Sequence, residues 1–197
     1  SYGSGSGLLI EDTTNSPAVK SVVTSGNTES YFGATSNHPV VFLQNNTERM
    51  RIDSSGRVTM PYQPGFSVRQ QAQSSIDCTS SNYIAFRHIH TTNFNTGNHF
   101  SSSTGSFTAP VAGNYIFGTT IRYDSFSGSY FYVTILKNGS TFGVRELTSL
   151  TGNYLHASIH TILNMAAGDY VNVALRNIGD SDIQIDNDCN FYGYLLG

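Results

Sequence analysis

The sequence predicts an all-β chain: a jelly-roll sandwich over the last two-thirds, preceded by a short β-rich stem. Three observations carry that prediction. Alternating apolar stripes run through several segments, the signature of strands with one buried face. Turn signals separate them at regular intervals: Lys137-Asn138-Gly139-Ser140, Leu150-Thr151-Gly152-Asn153 and Ala167-Gly168-Asp169. Asn-Gly pairs suit hairpins because both residues tolerate positive φ. The aromatic residues, 12% of the chain, are all Tyr and Phe, types enriched in strands. Regular strand–turn spacing without helical periodicity points to a sandwich or jelly roll.

The 197 residues suffice for one jelly roll and a smaller element, but not for two large domains. Residues 1–7 read as a flexible Gly/Ser start. Residues 8–62 hold short strand-like pieces: Leu8 to Ile10, Val19 to Val23, Val40 to Leu43, Met50 to Ile52 and Val58 to Met60. Ser25-Gly26-Asn27, Gln44-Asn45-Asn46 and Asp53-Ser54-Ser55-Gly56 punctuate them. No piece is long enough to bury a core by itself, so the stem needs partners, which three copies wound around one axis would supply. The run Asn46-Thr47-Glu48-Arg49-Met50-Arg51-Ile52-Asp53-Ser54-Ser55-Gly56-Arg57-Val58 resembles a stretch common in phage and prophage tail fibres, where it sits in a β-rich stem before the terminal domain. At the level of physics the same residues describe a polar hairpin.

Residues 63–197 form the predicted head. Tyr115, Phe117, Thr119, Ile121 and Tyr123 share one strand face, with Ile116, Gly118, Thr120 and Arg122 on the other. Leu155, Ala157, Ile159, Thr161, Leu163 and Met165 share a second stripe. Ile183, Ile185, Cys189, Phe191, Gly193 and Leu195 make a third. Three such stripes describe half-buried strands around a two-sheet core.

Several strings here, in order, are similar to those of C1q-like domains, the heads of the C1q and tumour-necrosis-factor superfamily. They are Gly65 to Val68, Asn95-Thr96-Gly97-Asn98-His99-Phe100, Thr104 through Phe117, Leu136-Lys137-Asn138-Gly139, Ala157 through Val171 with its Gly168-Asp169, and the closing Phe191-Tyr192-Gly193-Tyr194-Leu195-Leu196. The resemblance implies a C1q/TNF-like jelly roll that assembles as a homotrimer. The face opposite the core carries Tyr154, His156, Ser158, His160 and Ile162 on one strand, and Asp186, Asp188, Asn190, Tyr192 and Tyr194 on the last. His156, His160, Tyr192 and Tyr194 are the candidate interface residues; an ordinary solvent face with some tyrosines is the competing description.

Antiparallel strands alternate direction, so successive loops alternate ends. In the resembled family the last strand returns to the stem side. Counting back from Gly197 then places the loops near Ile178 to Ile183, Leu147 to Asn153 and Asp124 to Ser129 at the far end. Candidate receptor contacts there are Tyr123, Asp124, Phe126, Tyr130, Thr151, Asn153, Tyr154, Asp180 and Asp182, because loops on a rigid scaffold commonly carry recognition. Phe126 either stacks on a ligand or plugs the end of the sandwich. Asp180 and Asp182 either hold a calcium ion through hard oxygen ligands or are solvated turn residues; no other cofactor is expected.

Composition narrows the function. Charged residues are 12% of the chain and the net charge is −3, against about 25% charged in an ordinary soluble domain, which speaks against an electrostatic nucleic-acid binder. No apolar run approaches the ~18 residues of a membrane span, so no membrane insertion is expected. Cys78 and Cys189 lack metal-type spacing and are read as buried small residues or a pair. No Gly-x-Ser-x-Gly, His-Glu-x-x-His or phosphate loop occurs, so the chain reads as a binder and not an enzyme. The expectation is a trimeric receptor-binding tip of a phage or prophage-derived tail fibre. It would sit on the virion and recognise a host-cell surface glycan or protein receptor. The alternative is a secreted C1q-like lectin or adhesin of cellular origin.

Overall fold

A computed structural model describes residues 7–14, 16–25, 28–76, 83–125, 130–148, 155–178 and 183–197. Every regular element among them is a strand, and the chain divides into two compact units, Ser1–Tyr62 and Gln63–Gly197.

The first unit holds two three-stranded antiparallel sheets. One is β1 (Gly7–Asp12), β2 (Val19–Ser25) and β3 (Ser30–Ala34); the other is β4 (Val40–Gln44), β5 (Thr47–Ile52) and β6 (Val58–Thr59). The β3 strand was not predicted: Ser30-Tyr31-Phe32-Gly33-Ala34 lacks period-two alternation, and the strand exists because it pairs with β2 from Ser21↔Ala34 to Ser25↔Ser30. The β4–β5 turn is made by Asn45 and Asn46, both at positive φ (51° and 55°), as a tight two-residue hairpin requires. The β5–β6 turn is tied by Asp53, whose carboxylate accepts from Ser55 N (2.8 Å), Arg57 N (3.0 Å) and Arg57 Nε (2.7 Å). The fibre-like string is therefore a polar hairpin. Val22 is the one buried hydrophobic residue of this unit among those described, while Leu8, Leu9, Ile10, Phe32 and Leu43 are exposed.

The second unit is the sandwich. Its strands are β7 (Gly65–Gln70), β8 (Gln73–Ile76), β9 (Tyr83–Ile84), β10 (Ile89–Thr96), β11 (Phe100–Ser101), β12 (Ser106–Thr108), β13 (Gly113–Ser125), β14 (Tyr130–Lys137), β15 (Ser140–Thr148), β16 (Leu155–Met165), β17 (Tyr170–Ile178), β18 (Ile183–Ile185) and β19 (Asn190–Leu195). The first sheet runs β10-β7-β19-β13-β16, with β18 and β8 continuing from the far stretch of β13. The second runs β11-β12-β17-β14-β15, with β9 also on β17.

The predicted stripes face the space between the sheets. Tyr115, Phe117, Thr119, Ile121 and Tyr123 are all fully buried, as are Phe131, Val133 and Ile135 of β14 and Val171, Val173 and Leu175 of β17. An aromatic cluster fills the middle: the Phe66 ring lies 4.8 Å from Phe191, 4.9 Å from Phe100 and 5.0 Å from Phe107. Each such side chain stabilises the fold by about 1.5–3 kcal/mol through the apolar area it removes from water.

The third stripe is broken into two strands. Between β18 and β19 the chain turns through Asp186–Cys189, and Arg122 of β13 closes the gap. The Arg122 carbonyl accepts from Asp186 N (3.1 Å) and from the Cys189 thiol (3.3 Å), and its N–H donates to Cys189 Sγ (3.2 Å). Its guanidinium pairs with Asp186 (2.9 Å) and Asp188 (2.5 Å). Cys189 is a buried free thiol, and burial pushes its pKa up to about 11. Cys78 lies outside the described residues.

Candidate functional site

Strand register assembles one exposed face from five strands. Across the first sheet, on the side away from the core, Ile162, Ile116, Tyr194 and Gly65 form one row. His160, Gly118, Tyr192, Ser67 and Phe94 form the next, and Ser158, Thr120, Asn190 and Arg69 a third. His156 stands opposite Arg122 beyond them. The rows grade from apolar to polar, ending at Arg69 and Arg122, which are ion-paired with Asp186 and Asp188. Ile162 is 61% exposed and Tyr194 42%, on a regular sheet where such residues usually find cover.

The tyrosines are held flat. A Cβ at Gly118 would run into the Tyr192 ring and His160 Nδ1, and one at Gly65 would lie 2.9 Å from Tyr194 Cδ1. Each ring thus lies over a strand position that has no side chain. Tyr192 Oη is hydrogen-bonded to His160 Nδ1 at 3.1 Å, Phe94 packs against Tyr194 with centroids 5.4 Å apart, and Asn93 Nδ2 donates to Ser67 Oγ at 3.0 Å. All four residues expected at an interface, His156, His160, Tyr192 and Tyr194, stand on this one face. Phe94 was missed because β10 pairs with β7 through two register shifts, and such bulges disrupt strict alternation.

The two ends of the sandwich differ. At one end Gln63 Nε2 donates to Leu195 O (2.7 Å) and Asn114 N to Gly197 O (2.9 Å), so the unit starts and finishes there. The Asn138-Gly139 hairpin sits at the same end, both residues at positive φ (49° and 78°). It is clasped to Asp169, whose carboxylate accepts from Asn138 Nδ2 (2.7 Å), Ala166 N (2.8 Å) and Lys137 Nζ (3.0 Å). Those contacts hold the Asp169 pKa down at about 2. At the other end the pairs Tyr130↔Thr148, Tyr130↔Ile178, Tyr123↔Leu155 and Ser125↔Gln184 bring together the strand ends that border the three expected binding loops.

Of the expected receptor contacts, Tyr130 is exposed at that end, and Asp124 is the penultimate residue of β13. Phe126, Thr151, Asn153, Tyr154, Asp180 and Asp182 lie outside the described residues, and the calcium expectation lies with them. Tyr123 is placed differently from the expectation: it is fully buried, its ring 4.7 Å from Phe131. It belongs to the core-facing stripe of β13, and burial raises its hydroxyl pKa to about 12. Asp186 and Asp188 are engaged by Arg122, and Asp188 also by Arg69 at 3.2 Å. Among the described residues no group of His, Cys, Asp or Glu converges as metal ligands would, and no helix is long and apolar enough to cross a membrane.

No curated protein matches the chain in sequence. Among solved structures, the globular domain of the zebrafish complement 1qA protein aligns with TM-score 0.47 at 18% identity, covering 68% of this chain and 98% of that one. The model of the C1q domain family matches residues 65–196, from the first strand of the sandwich to the residue after its last, and the chain belongs to the C1q domain family.

Proposed function

We propose that this chain is a homotrimeric attachment head carried on a fibre-like stem, the receptor-binding tip of a phage or prophage-derived tail fibre that recognises a host-cell surface glycan. The C1q domain family is one of binding and adhesion domains, and none of the catalytic motifs sought in the sequence competes with that role. One observation carries the assembly: the graded face of the first sheet, where Ile162, Tyr194 and the Tyr192–His160 pair stand exposed on rigid strands. Burying such a face against two further copies stabilises the assembly at roughly 25 cal/mol per Å² of apolar area. The first unit also favours association, since Leu8, Leu9, Ile10, Phe32 and Leu43 are left uncovered by a single chain. In this reading His156, His160, Tyr192 and Tyr194 line the subunit contact. The end bordered by Tyr130 and Asp124, away from Gln63 and Gly197, meets the receptor.

Sedimentation velocity of the purified chain is expected to give a trimer, and a monomer at micromolar concentration refutes the reading. The family membership also favours a second reading, a secreted C1q-like lectin or adhesin of cellular origin. Adsorption of fluorescent protein to candidate bacterial hosts, beside a glycan array of animal and bacterial sugars, separates the two. Host-restricted adsorption supports the virion tip, and binding confined to other glycans supports the secreted lectin.

A further inference from the structure

We infer that a cleft on the second sheet is a binding site for a sugar unit bearing a carboxylate. The cleft measures about 370 Å³ and is lined by Arg87, Thr104, Ser106, Thr108, Tyr170 and Asn172. That volume lies toward the lower end of small-ligand sites, about 300–1,000 Å³. Three separate segments build the cleft, and each is held in place by identifiable contacts.

The floor is the β12–β17 pair, in register at Ser106↔Asn172 and Thr108↔Tyr170. The wall comes from the segment after β9. Ala85 N donates to Val173 O (2.9 Å), and Phe86 then adopts φ 61° with its ring fully buried. A positive φ at a bulky residue is rarely populated; here it sends the Phe86 ring into the core and leaves Arg87 at the surface. Gly105, at φ 66°, lets the β11–β12 hairpin close on this segment, because any Cβ there would collide with the Ala85 carbonyl.

The lining points to the ligand chemistry. Asn172 lies beneath it, 7% exposed, with its amide at 3.3 Å from Ser106 Oγ. Thr108 adds a hydroxyl that both gives and receives, Thr104 Oγ1 accepts, its own proton going to Ser101 O (3.5 Å), and Tyr170, 38% exposed, offers a ring to the C–H face of a sugar. Arg87 supplies charge: only its Nε contacts Thr104 O, at 3.5 Å, and among the described residues no carboxylate lies within ion-pair distance of it. A carboxylate on the same ring accepts from the guanidinium fork.

The inference names a ligand for the head proposed above and rests on that binding reading, but requires neither the trimer nor the fibre. The test uses the full chain and the pair D-glucuronate and D-glucose, which share a ring and differ by the carboxylate. Saturation-transfer NMR is expected to give a Kd on the order of 1 mM for glucuronate, as suits a small site with one charge-assisted contact, and binding roughly tenfold weaker for glucose. Arg87→Gln, at an exposed position, should weaken glucuronate about tenfold and leave glucose unchanged. Tyr170→Ala should weaken both. Equal affinity for the two sugars, an unaltered Kd in Arg87→Gln, displacement of glucuronate by acetate at equal concentration, or no binding up to roughly 50 mM overturns the proposal. Host adsorption and sedimentation of the Arg87→Gln variant keep the two readings apart. A trimer that still adsorbs while glucuronate binding was never present removes the cleft and not the head. A chain that binds glucuronate as a monomer removes the assembly and not the cleft.

Discussion

Replacing Gly118 by alanine adds one methyl group beneath the graded face. The new Cβ would sit 2.5 Å from Tyr192 Oη and 2.6 Å from His160 Nδ1, against the ~3.5–4.0 Å of a relaxed contact. Both rings must therefore move by about 1 Å. In an isolated head they are the far ends of side chains on an open face, and swinging outward costs little, within the ±0.5 kcal/mol usual for surface changes. In a trimer packed through this face, the displaced rings press on the neighbouring copy. Overpacking costs about 1–3 kcal/mol per site, hence about 3–9 kcal/mol over three copies. The concentration of half-dissociation of a trimer varies as the square root of its dissociation constant. With about 1.4 kcal/mol per factor of ten, that concentration rises roughly 10- to 1,000-fold. A dilution series by sedimentation velocity reads this directly, and thermal unfolding at low concentration reads the stability of the separate head. A half-dissociation point within about threefold of the parent would show that Tyr192 and His160 are not at the subunit contact. A large loss of stability in the dilute head would show that the rings are locked within one chain.

Further predictions concern the head itself. Phe66→Ala removes the ring at the centre of the aromatic cluster and should destabilise the domain by about 3–5 kcal/mol, measured by denaturant unfolding with an unchanged m-value. The Asp169 clasp has a pH signature. Its carboxyl is held down at about 2 in the fold, below the ordinary aspartate value of 3.8. Its stabilisation is therefore fully present above the unfolded value and disappears as pH falls from there through about 2. Asp169→Asn should flatten the acid limb of a midpoint-versus-pH curve in that window. At alkaline pH, Cys189 has the opposite sign: its pKa, raised from 9.0 to about 11, favours the fold below pH 9 and loses that contribution as pH rises through about 11. In a Cys78→Ser background a thiol reagent at pH 8 should leave the folded protein unlabelled and label one site after denaturation, read by mass spectrometry.

Period-two patterning made the core legible. The β13 stripe from Tyr115 to Tyr123 and the β16 stripe are where alternation put them, because a sheet with one buried face repeats every second residue. The same rule accounts for Tyr123: its parity assigns it to the core, and proximity to a loop does not override parity. What alternation could not show were departures from it. The turn at Asp186–Cys189 is stabilised by Arg122, a residue distant in sequence, and β10 slips register twice against β7. The Arg87–Asn172 cleft left no local trace either, because its lining comes from three segments that approach only when β12 lies beside β17. The fibre-like string was readable as a hairpin from Asp53 and Gly56, since turn chemistry is local.

The bonds from Gln63 to Leu195 and from Asn114 to Gly197 confine both chain ends of the sandwich to a single rim. Such a domain behaves as a cartridge. Its connections to other polypeptide are made on one side, so sequence change on the opposite rim is decoupled from how the domain is mounted. Loops there can diversify in length and composition while the sandwich and its attachment stay constant.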